Sequence, residues 1–167
     1  MHVYALALGS NRPHGRHGPP ARVLAAALAT LEAEGVGIRA AAPVIHTAPH
    51  GPSSRRFANS AALVRSNLAP LDLLRLLKRI ERLFGRRPGR RWGARVLDLD
   101  ILLWSGGEWR TRTLVIPHRS LATRRFVLDP LVRIAPGWRI DGHTVAHAHA
   151  RLTRPRPSHR SRGGSGP

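Results

Sequence analysis

The spacing of hydrophobic and polar residues in the first half of the chain predicts short strands and helices. Residues 3–8 are small and apolar, which predicts a strand. The Ala- and Leu-rich segment 20–34 predicts a helix, with a stop at the glycines that follow it. Residues 38–46 and 57–66 predict two further strands, separated by a Pro- and Gly-rich breaker over 47–52.

The clearest predicted helix begins at Pro70 and ends before Gly85, because proline suits the first helical position and glycine the residue just past the end. Its apolar side chains recur at three- and four-residue spacing, so one stripe faces a core. These residues are Leu73, Leu74, Leu77, Ile80 and Phe84. A basic loop over 85–94 follows, and then a strand over 95–103.

The order strand, helix, strand, strand, helix, strand predicts an α+β fold, a ferredoxin-like sandwich whose mostly antiparallel sheet has helices packed on it. After a glycine turn at 106–107 and a short segment ending at Pro117, residues 120–131 suggest another helix. We expect a single domain over residues 1–150. The Arg-, Pro-, Ser- and Gly-rich residues 151–167 are predicted to be a disordered tail.

Composition narrows the possible functions. The chain has 167 residues, no cysteine and no apolar run of membrane-spanning length, which argues against disulfides, thiolate metal sites and a membrane span. No targeting signal is recognised at the N-terminus, so we expect a cytoplasmic protein. The net charge of +19 attracts polyanions such as nucleic acid or nucleotide phosphates, although arginines scattered over a solvated surface would give the same total.

An acidic pair in the strand over 95–103 is the first candidate for chemistry. Side chains alternate faces along a strand, so Asp98 and Asp100 share one face while Leu97, Leu99, Ile101 and Leu103 share the other. A divalent cation would relieve the repulsion between the two carboxylates, and Mg²⁺ prefers such hard oxygen ligands. Two aspartates on a solvated sheet face remain the alternative.

Basic and aromatic residues elsewhere could complete a site for a phosphorylated ligand. The arginines between Arg86 and Arg91, with Arg95, offer donors that match phosphate oxygens. His118 could donate to a phosphate and Arg124 could add charge. Before them, Phe57 could stack on a planar ring, and Asn59 could pair with an amide-like ring edge.

Four segments in this order resemble one family, the 6-hydroxymethyl-7,8-dihydropterin pyrophosphokinases. The most specific stretch reads Arg91-Trp92-Gly93-Ala94-Arg95, two further residues, then Asp98-Leu99-Asp100-Ile101-Leu102. Supporting pieces are the start at 7–11, Ile116-Pro117-His118 with Arg124 and Phe126, and the Pro-Leu-x-x-Ile-Ala-Pro ending at 130–136. The resemblance covers most of the chain.

The resemblance implies a transferase that passes pyrophosphate from ATP to the pterin in folate synthesis, with ATP as cosubstrate and two Mg²⁺ ions. Asp98 and Asp100 match the metal-binding pair, and Arg86 and Arg95 match basic positions that close over the phosphates. Positions lining the nucleotide match Glu81, Arg91, Ile101, His118 and Arg124. Positions contacting the pterin match Phe57, Phe126 and Asn59, with backbone groups around Thr47 and His50. Small-molecule partners and a monomer are expected.

Other classes of function remain open at this point. A basic ferredoxin-like sheet can bind RNA by stacking bases on exposed aromatic residues. A metal-dependent nuclease could use the two aspartates, although it would normally need a further acidic ligand. A zinc site at His143, His147 and His149 is a third possibility with loose spacing.

Overall fold

The computed structural model describes residues 1–48, 56–85 and 95–154. Within these ranges the chain forms nine strands and four helices, with one short 3-10 turn at Leu121–Thr123. In chain order the elements are β1 (His2–Ser10), α1 (Pro20–Ala33), β2 (Gly37–Ala41), β3 (Ile45–Thr47), β4 (Phe57–Ser66), α2 (Pro70–Leu83), β5 (Asp98–Trp104), β6 (Trp109–Arg110), β7 (Val115–Ile116), α3 (Arg125–Ile134), β8 (Arg139–Ile140), β9 (His143–Thr144) and α4 (Val145–Thr153).

The main sheet has the order β2-β4-β1-β5, with β3 also paired to β4, and every pairing is antiparallel. Its two central strands are β1 and β4, and β1 pairs over its whole length with residues 58–66 of β4. This arrangement confirms the predicted ferredoxin-like α+β sandwich. β6 with β7 and β8 with β9 form two small separate hairpins.

Period-two alternation along β1 divides the interior into two cores. Tyr4, Leu6 and Leu8 point to the core that α1 and α2 cover, and Ala5 points to the core beneath α3 and α4. The apolar stripe of α2 lies in the first core as predicted. On the second face β1 has the small residues Ala5, Ala7 and Gly9 after Val3, so the sheet surface is low at that end of the strand.

The predicted strand over 38–46 is two strands. Residues 42–44 separate β2 from β3, and Pro43 in the middle has no N–H to donate to a sheet ladder. The break lets β3 pair with the beginning of β4 while β2 pairs with its end. The site residue Thr47 is thereby placed opposite Phe57.

Strand β5 also differs from its prediction, in its start and in its register. It begins at Asp98, three residues later than expected. Leu6 pairs with Ile101 and Ala5 with Leu103, which leaves Leu102 as an extra, bulged residue. The prediction that Leu103 shares a face with Leu99 and Ile101 is therefore wrong, because the bulge sends it into the second core.

The C-terminal elements cover the second face of the sheet. The helix predicted over 120–131 is the 3-10 turn followed by α3, and α4 continues to Thr153, three residues past the expected domain boundary at 150. Thr144 caps α4, since its Oγ1 accepts a hydrogen bond of 3.1 Å from the N–H of His147. Residues 155–167, most of the predicted tail, lie outside the described residues.

The helices that cover the sheet are relevant to the RNA-binding alternative. A sheet that stacks bases needs an open face, whereas helices pack on both faces here. Most of the sheet is therefore covered, which argues against that alternative. No helix among the described residues is long and apolar enough to cross a membrane.

Candidate active site

A line of site residues crosses the second face of the sheet beyond the small residues of β1. Gly9 pairs with Asn59 on one side and with Asp98 on the other. Because residues directly opposite each other in antiparallel strands share a face, Asn59, Gly9 and Asp98 lie side by side. Asp100, two residues further along β5 and opposite Ala7, lies on the same face, as predicted for the pair.

Gly9 keeps the middle of this line open. A Cβ atom at this position would lie 3.5 Å from Asn59 Oδ1 and 3.9 Å from Asp98 Cβ. Any larger side chain would fill the space between the amide and the carboxylate. The partly exposed backbone of Gly9 therefore lies between an amide at one end and an acidic pair at the other, and this strip of surface is called the cleft below.

At the amide end, Asn59 is oriented by a hydrogen bond. Its Nδ2 donates to Thr47 Oγ1 at 2.9 Å, and only 6% of the residue is exposed. With the amide nitrogen held by β3, the oxygen Oδ1 is the atom directed toward Gly9. Phe57, two residues earlier on β4 and opposite Thr47, lies half-buried on the same face.

The second predicted aromatic residue lies near the start of α3. Phe126 is partly buried against the second core, and α3 packs on β4 and β3 at this end of the sheet. The guanidinium of Arg124, which precedes the helix, lies 5.9 Å from the centroid of the Phe126 ring. The fold thus brings Phe57, Asn59, Phe126 and Arg124 to one face.

At the acidic end, both aspartates have cationic neighbours. Arg95 Nη1 lies 2.9 Å from Asp98 Oδ2, and Lys78 Nζ lies 3.8 Å from Asp100 Oδ1. The carboxyl side chains are 28% and 36% exposed, so both are open to a ligand arriving from solvent. Arg95 was expected at the phosphates, and here its side chain lies beside the metal-ligand candidates.

Glu81 and Ile101 lie beneath the site rather than in it. Glu81 is 1% exposed, and its Oε1 accepts hydrogen bonds of 2.8 Å from the N–H of Leu99 and from Lys78 Nζ. The side chain of Ile101 is in the first core at 2% exposure. Both residues were expected to line a nucleotide. With its side chain in the core, Ile101 can contact a nucleotide only through its main chain.

The chain leading into β5 is anchored to the end of β1 by Asn11. Its Oδ1 accepts a hydrogen bond of 2.7 Å from the N–H of Arg95, and its own N–H donates to the Arg95 carbonyl at 3.1 Å. Asn11 is 2% exposed. These bonds fix the backbone of Arg95 next to Gly9 and Asp98.

His118 is held with a defined tautomer. The backbone N–H of His118 donates to the Leu102 carbonyl at 3.0 Å, and the ring Nδ1 accepts from the backbone N–H of Ser120 at 3.2 Å. Burial lowers the pKa of His118, while the charge of Asp100 acts in the opposite direction. The neutral imidazole therefore has its proton on Nε2, where it can donate to a ligand oxygen.

The donor set fits Mg²⁺ bound together with a nucleotide. Two carboxylates on one face supply hard oxygen ligands, and water and phosphate oxygens would complete the shell. No group of three or more His, Cys, Asp or Glu side chains suited to a metal occurs in the part of the chain that the structure describes. The zinc alternative and a nuclease with a further acidic ligand therefore lack their ligand sets there.

The histidines proposed for zinc have other neighbours. The rings of His143 and His147 stack with centroids 4.7 Å apart, and His149 Nε2 lies 2.8 Å from Asp129 Oδ1 on α3. His149 therefore links α4 to α3.

Three predicted site residues, His50, Arg86 and Arg91, lie outside the described residues. Conversely, sequence reasoning did not select Gly9, Asn11, Lys78 or Ser120. A signal existed for the Lys78–Glu81 pair, since a glutamate one turn after Leu77 falls inside the apolar stripe of α2. No signal in the sequence alone pairs Asn11 with Arg95, which is 84 residues away.

The chain is similar to known proteins of one family. Residues 5–136 match the family model of 7,8-dihydro-6-hydroxymethylpterin-pyrophosphokinase (HPPK). The 2-amino-4-hydroxy-6-hydroxymethyldihydropteridine pyrophosphokinase of Methylorubrum extorquens is 40% identical over 149 residues, which are 88% of this chain and 91% of that protein. The Pseudomonas aeruginosa protein of the same name is 40% identical over 136 residues, 81% and 82% of the two chains.

A solved structure shares the fold. The crystal structure of Plasmodium falciparum HPPK-DHPS, wild type with SDX-DHP, matches with a TM-score of 0.69 at 13% sequence identity, over 90% of this chain and 44% of that one. At 13% sequence identity, this match shows a shared fold and nothing more. The family model spans most of the chain, and the bacterial relatives are matched over nearly their full lengths. The chain therefore belongs to the 7,8-dihydro-6-hydroxymethylpterin-pyrophosphokinase family.

Proposed function

We propose that this chain transfers the pyrophosphoryl group of ATP to 6-hydroxymethyl-7,8-dihydropterin in folate synthesis, with Asp98 and Asp100 holding Mg²⁺. The hydroxymethyl oxygen attacks the β-phosphorus, the bond from that phosphorus to the α-phosphate oxygen breaks, and AMP leaves as the hydroxyl loses its proton. The observation that supports this most strongly is the line Asn59–Gly9–Asp98, which puts a ring-binding amide and a carboxylate on either side of an open floor.

The pterin would lie at the amide end of the cleft. Asn59 is presented edge-on by its bond to Thr47, so its Oδ1 can accept from an N–H of the ring. Phe57 and Phe126 would pack on the two faces of the ring. Backbone groups near Thr47 and His50 would add contacts to the same edge.

The triphosphate would lie at the acidic end. Bound Mg²⁺, for which we propose two ions, would neutralise phosphate charge and align the reacting oxygens. Arg95 is close enough to Asp98 to pass from that carboxylate to a phosphate oxygen. His118 would donate from Nε2, and Arg124, Arg86 and Arg91 would add positive charge.

The remaining nucleotide contacts are indirect. The main chain of Ile101 would bind the nucleotide, and Glu81 would act by holding Leu99 and Lys78 in place. Most of the rate acceleration would come from positioning and electrostatic stabilisation rather than from a covalent intermediate. We also propose that the enzyme acts as a monomer in the cytoplasm.

One assay tests the reaction directly. The full chain is incubated with ATP, Mg²⁺ and the reduced hydroxymethyl-pterin, and the nucleotide products are separated. We expect AMP and the pterin pyrophosphate in equal amounts, and no AMP when the pterin is left out. Formation of ADP would contradict the proposal, since it would indicate transfer of a single phosphoryl group.

A further inference from the structure

Lys78 lies where it can affect Asp100 directly, although it belongs to a helix on the opposite side of the sheet. Its Nζ is 3.8 Å from Asp100 Oδ1. Arg95 has the equivalent relation to Asp98, at 2.9 Å. Lys78 also pairs with Glu81 at 2.8 Å, so its positive charge is shared between Glu81 and Asp100.

The ammonium group of Lys78 is fixed by two shorter contacts. Nζ donates to Glu81 Oε1 at 2.8 Å and to the carbonyl oxygen of Leu99 at 3.1 Å. Glu81 is buried, and its carboxylate also accepts from the N–H of Leu99. Lys78 is therefore held at the outer edge of β5, level with the residue between the two aspartates.

We propose that Lys78 is a positioning residue that serves as an internal counter-cation for Asp100, so that divalent metal binds well only together with a nucleotide. The inference rests on the proposed Mg²⁺–nucleotide site. An ion arriving alone must approach carboxylates whose charge Lys78 and Arg95 partly offset. A magnesium–ATP complex still has net negative charge, so the same cations attract it.

If Lys78 acts through its charge, one substitution should change the affinities for metal and for nucleotide in opposite directions. Lys78→Gln keeps a side-chain donor for Leu99 and removes the charge. Affinity for Mn²⁺ alone, measured by electron paramagnetic resonance without nucleotide, should rise about three- to tenfold, as expected for a charge several ångströms away near the surface. Affinity for a non-hydrolysable ATP analogue in the presence of EDTA should fall by about the same factor.

Three further variants sharpen the test. Lys78→Arg should keep both affinities close to those of the unsubstituted chain, because the charge is retained. Arg75→Gln removes one charge from an exposed position of the same helix, where Arg75 pairs with Asp72, and should change neither affinity. Lys78→Met is a second neutral variant, and the same criteria apply to whichever neutral variant shows a cooperative thermal transition.

Two results would overturn the role given to Lys78. If both affinities fell in the neutral variants, Lys78 would only be supporting β5, and if neither changed, its charge would have no effect on the site. Failure of the unsubstituted chain to bind Mn²⁺ even with the ATP analogue would overturn the proposed metal site itself. That outcome differs from the first two, in which the unsubstituted chain still binds metal with nucleotide.

Discussion

The buried carboxylate of Glu81 accepts a hydrogen bond of 2.8 Å from the backbone N–H of Leu99, the residue between the two aspartates of β5. β5 is an edge strand of the sheet, so one of its sides has no neighbouring strand to satisfy backbone groups. Glu81 and Lys78, one helical turn apart on α2, bind the N–H and the carbonyl of Leu99. Helix α2 thereby fixes the strand that presents Asp98 and Asp100.

Replacing Glu81 should therefore affect stability. Glu81→Ala leaves the Leu99 N–H and the Lys78 ammonium without this acceptor, which should lower the free energy of unfolding by about 2–4 kcal/mol. Glu81→Gln retains an acceptor oxygen and should cost less. Urea denaturation measures both. As a control, Glu108→Ala removes an exposed carboxylate paired with Arg110 and should change stability by less than about 0.5 kcal/mol. Equal effects at the two positions would contradict this role for Glu81.

Gly9 gives a steric prediction for the pterin end of the cleft. Gly9→Val would put methyl groups into the space between Asn59 and Asp98. Affinity for a pterin analogue should fall by about five- to 150-fold, in line with the 1–3 kcal/mol cost of overpacking a well-fitted space. Isothermal titration calorimetry measures this affinity. Gly15→Ala, at a glycine with no atom near the added Cβ, is the matched control and should bind normally. Unchanged pterin binding by the valine variant would show that the ring lies elsewhere.

His118 should make stability depend on pH. Burial lowers the pKa of this imidazole in the folded chain from the ordinary value of 6.5, with Arg124 and Lys78 adding to the effect and Asp100 and Asp98 opposing it. As pH falls below about 6.5, the unfolded chain takes up the proton first, so the folded state loses stability. Above that pH, His118 is neutral in both the folded and the unfolded chain, and this loss of stability is absent.

Urea unfolding between pH 5 and pH 8 checks this for the unsubstituted chain and for His118→Gln. As the pH falls, the free energy of unfolding of the unsubstituted chain should decrease relative to that of His118→Gln. A difference that stays constant over this range would mean that His118 is as easily protonated in the folded chain as in the unfolded one.

The fold was predictable because its elements have strong local signals. Pro70 and Gly85 mark the ends of α2, and the alternating small and apolar residues of β1 mark a strand with two buried faces. The positions of breaks were less predictable. The break at Pro43 was not predicted, although proline has no N–H for a sheet ladder, and the bulge at Leu102 depends on how β5 pairs with β1, which a single strand's pattern does not contain.

The sequence predicted which site candidates on the strands share a face, but not what each of them contacts. Asp98, Asp100, Asn59 and Phe57 share a face, as side-chain alternation and the strand register require. Glu81 was expected to line the nucleotide, and in the structure it is buried beneath β5, because helix packing decides which side of α2 meets the sheet. The contact between Asn11 and Arg95 joins residues 84 positions apart and follows from the completed fold alone.

The most direct test of the account is single-turnover AMP release by Asp98→Ala and Asp100→Ala at saturating Mg²⁺. Each substitution removes one proposed metal ligand, so the rate should fall at least about a thousandfold, or about 4 kcal/mol of transition-state stabilisation. Asp72→Ala, at an exposed carboxylate on α2 that pairs with Arg75, should leave the rate unchanged. Release of AMP by either site variant within about tenfold of the unsubstituted rate would contradict a metal-binding aspartate pair.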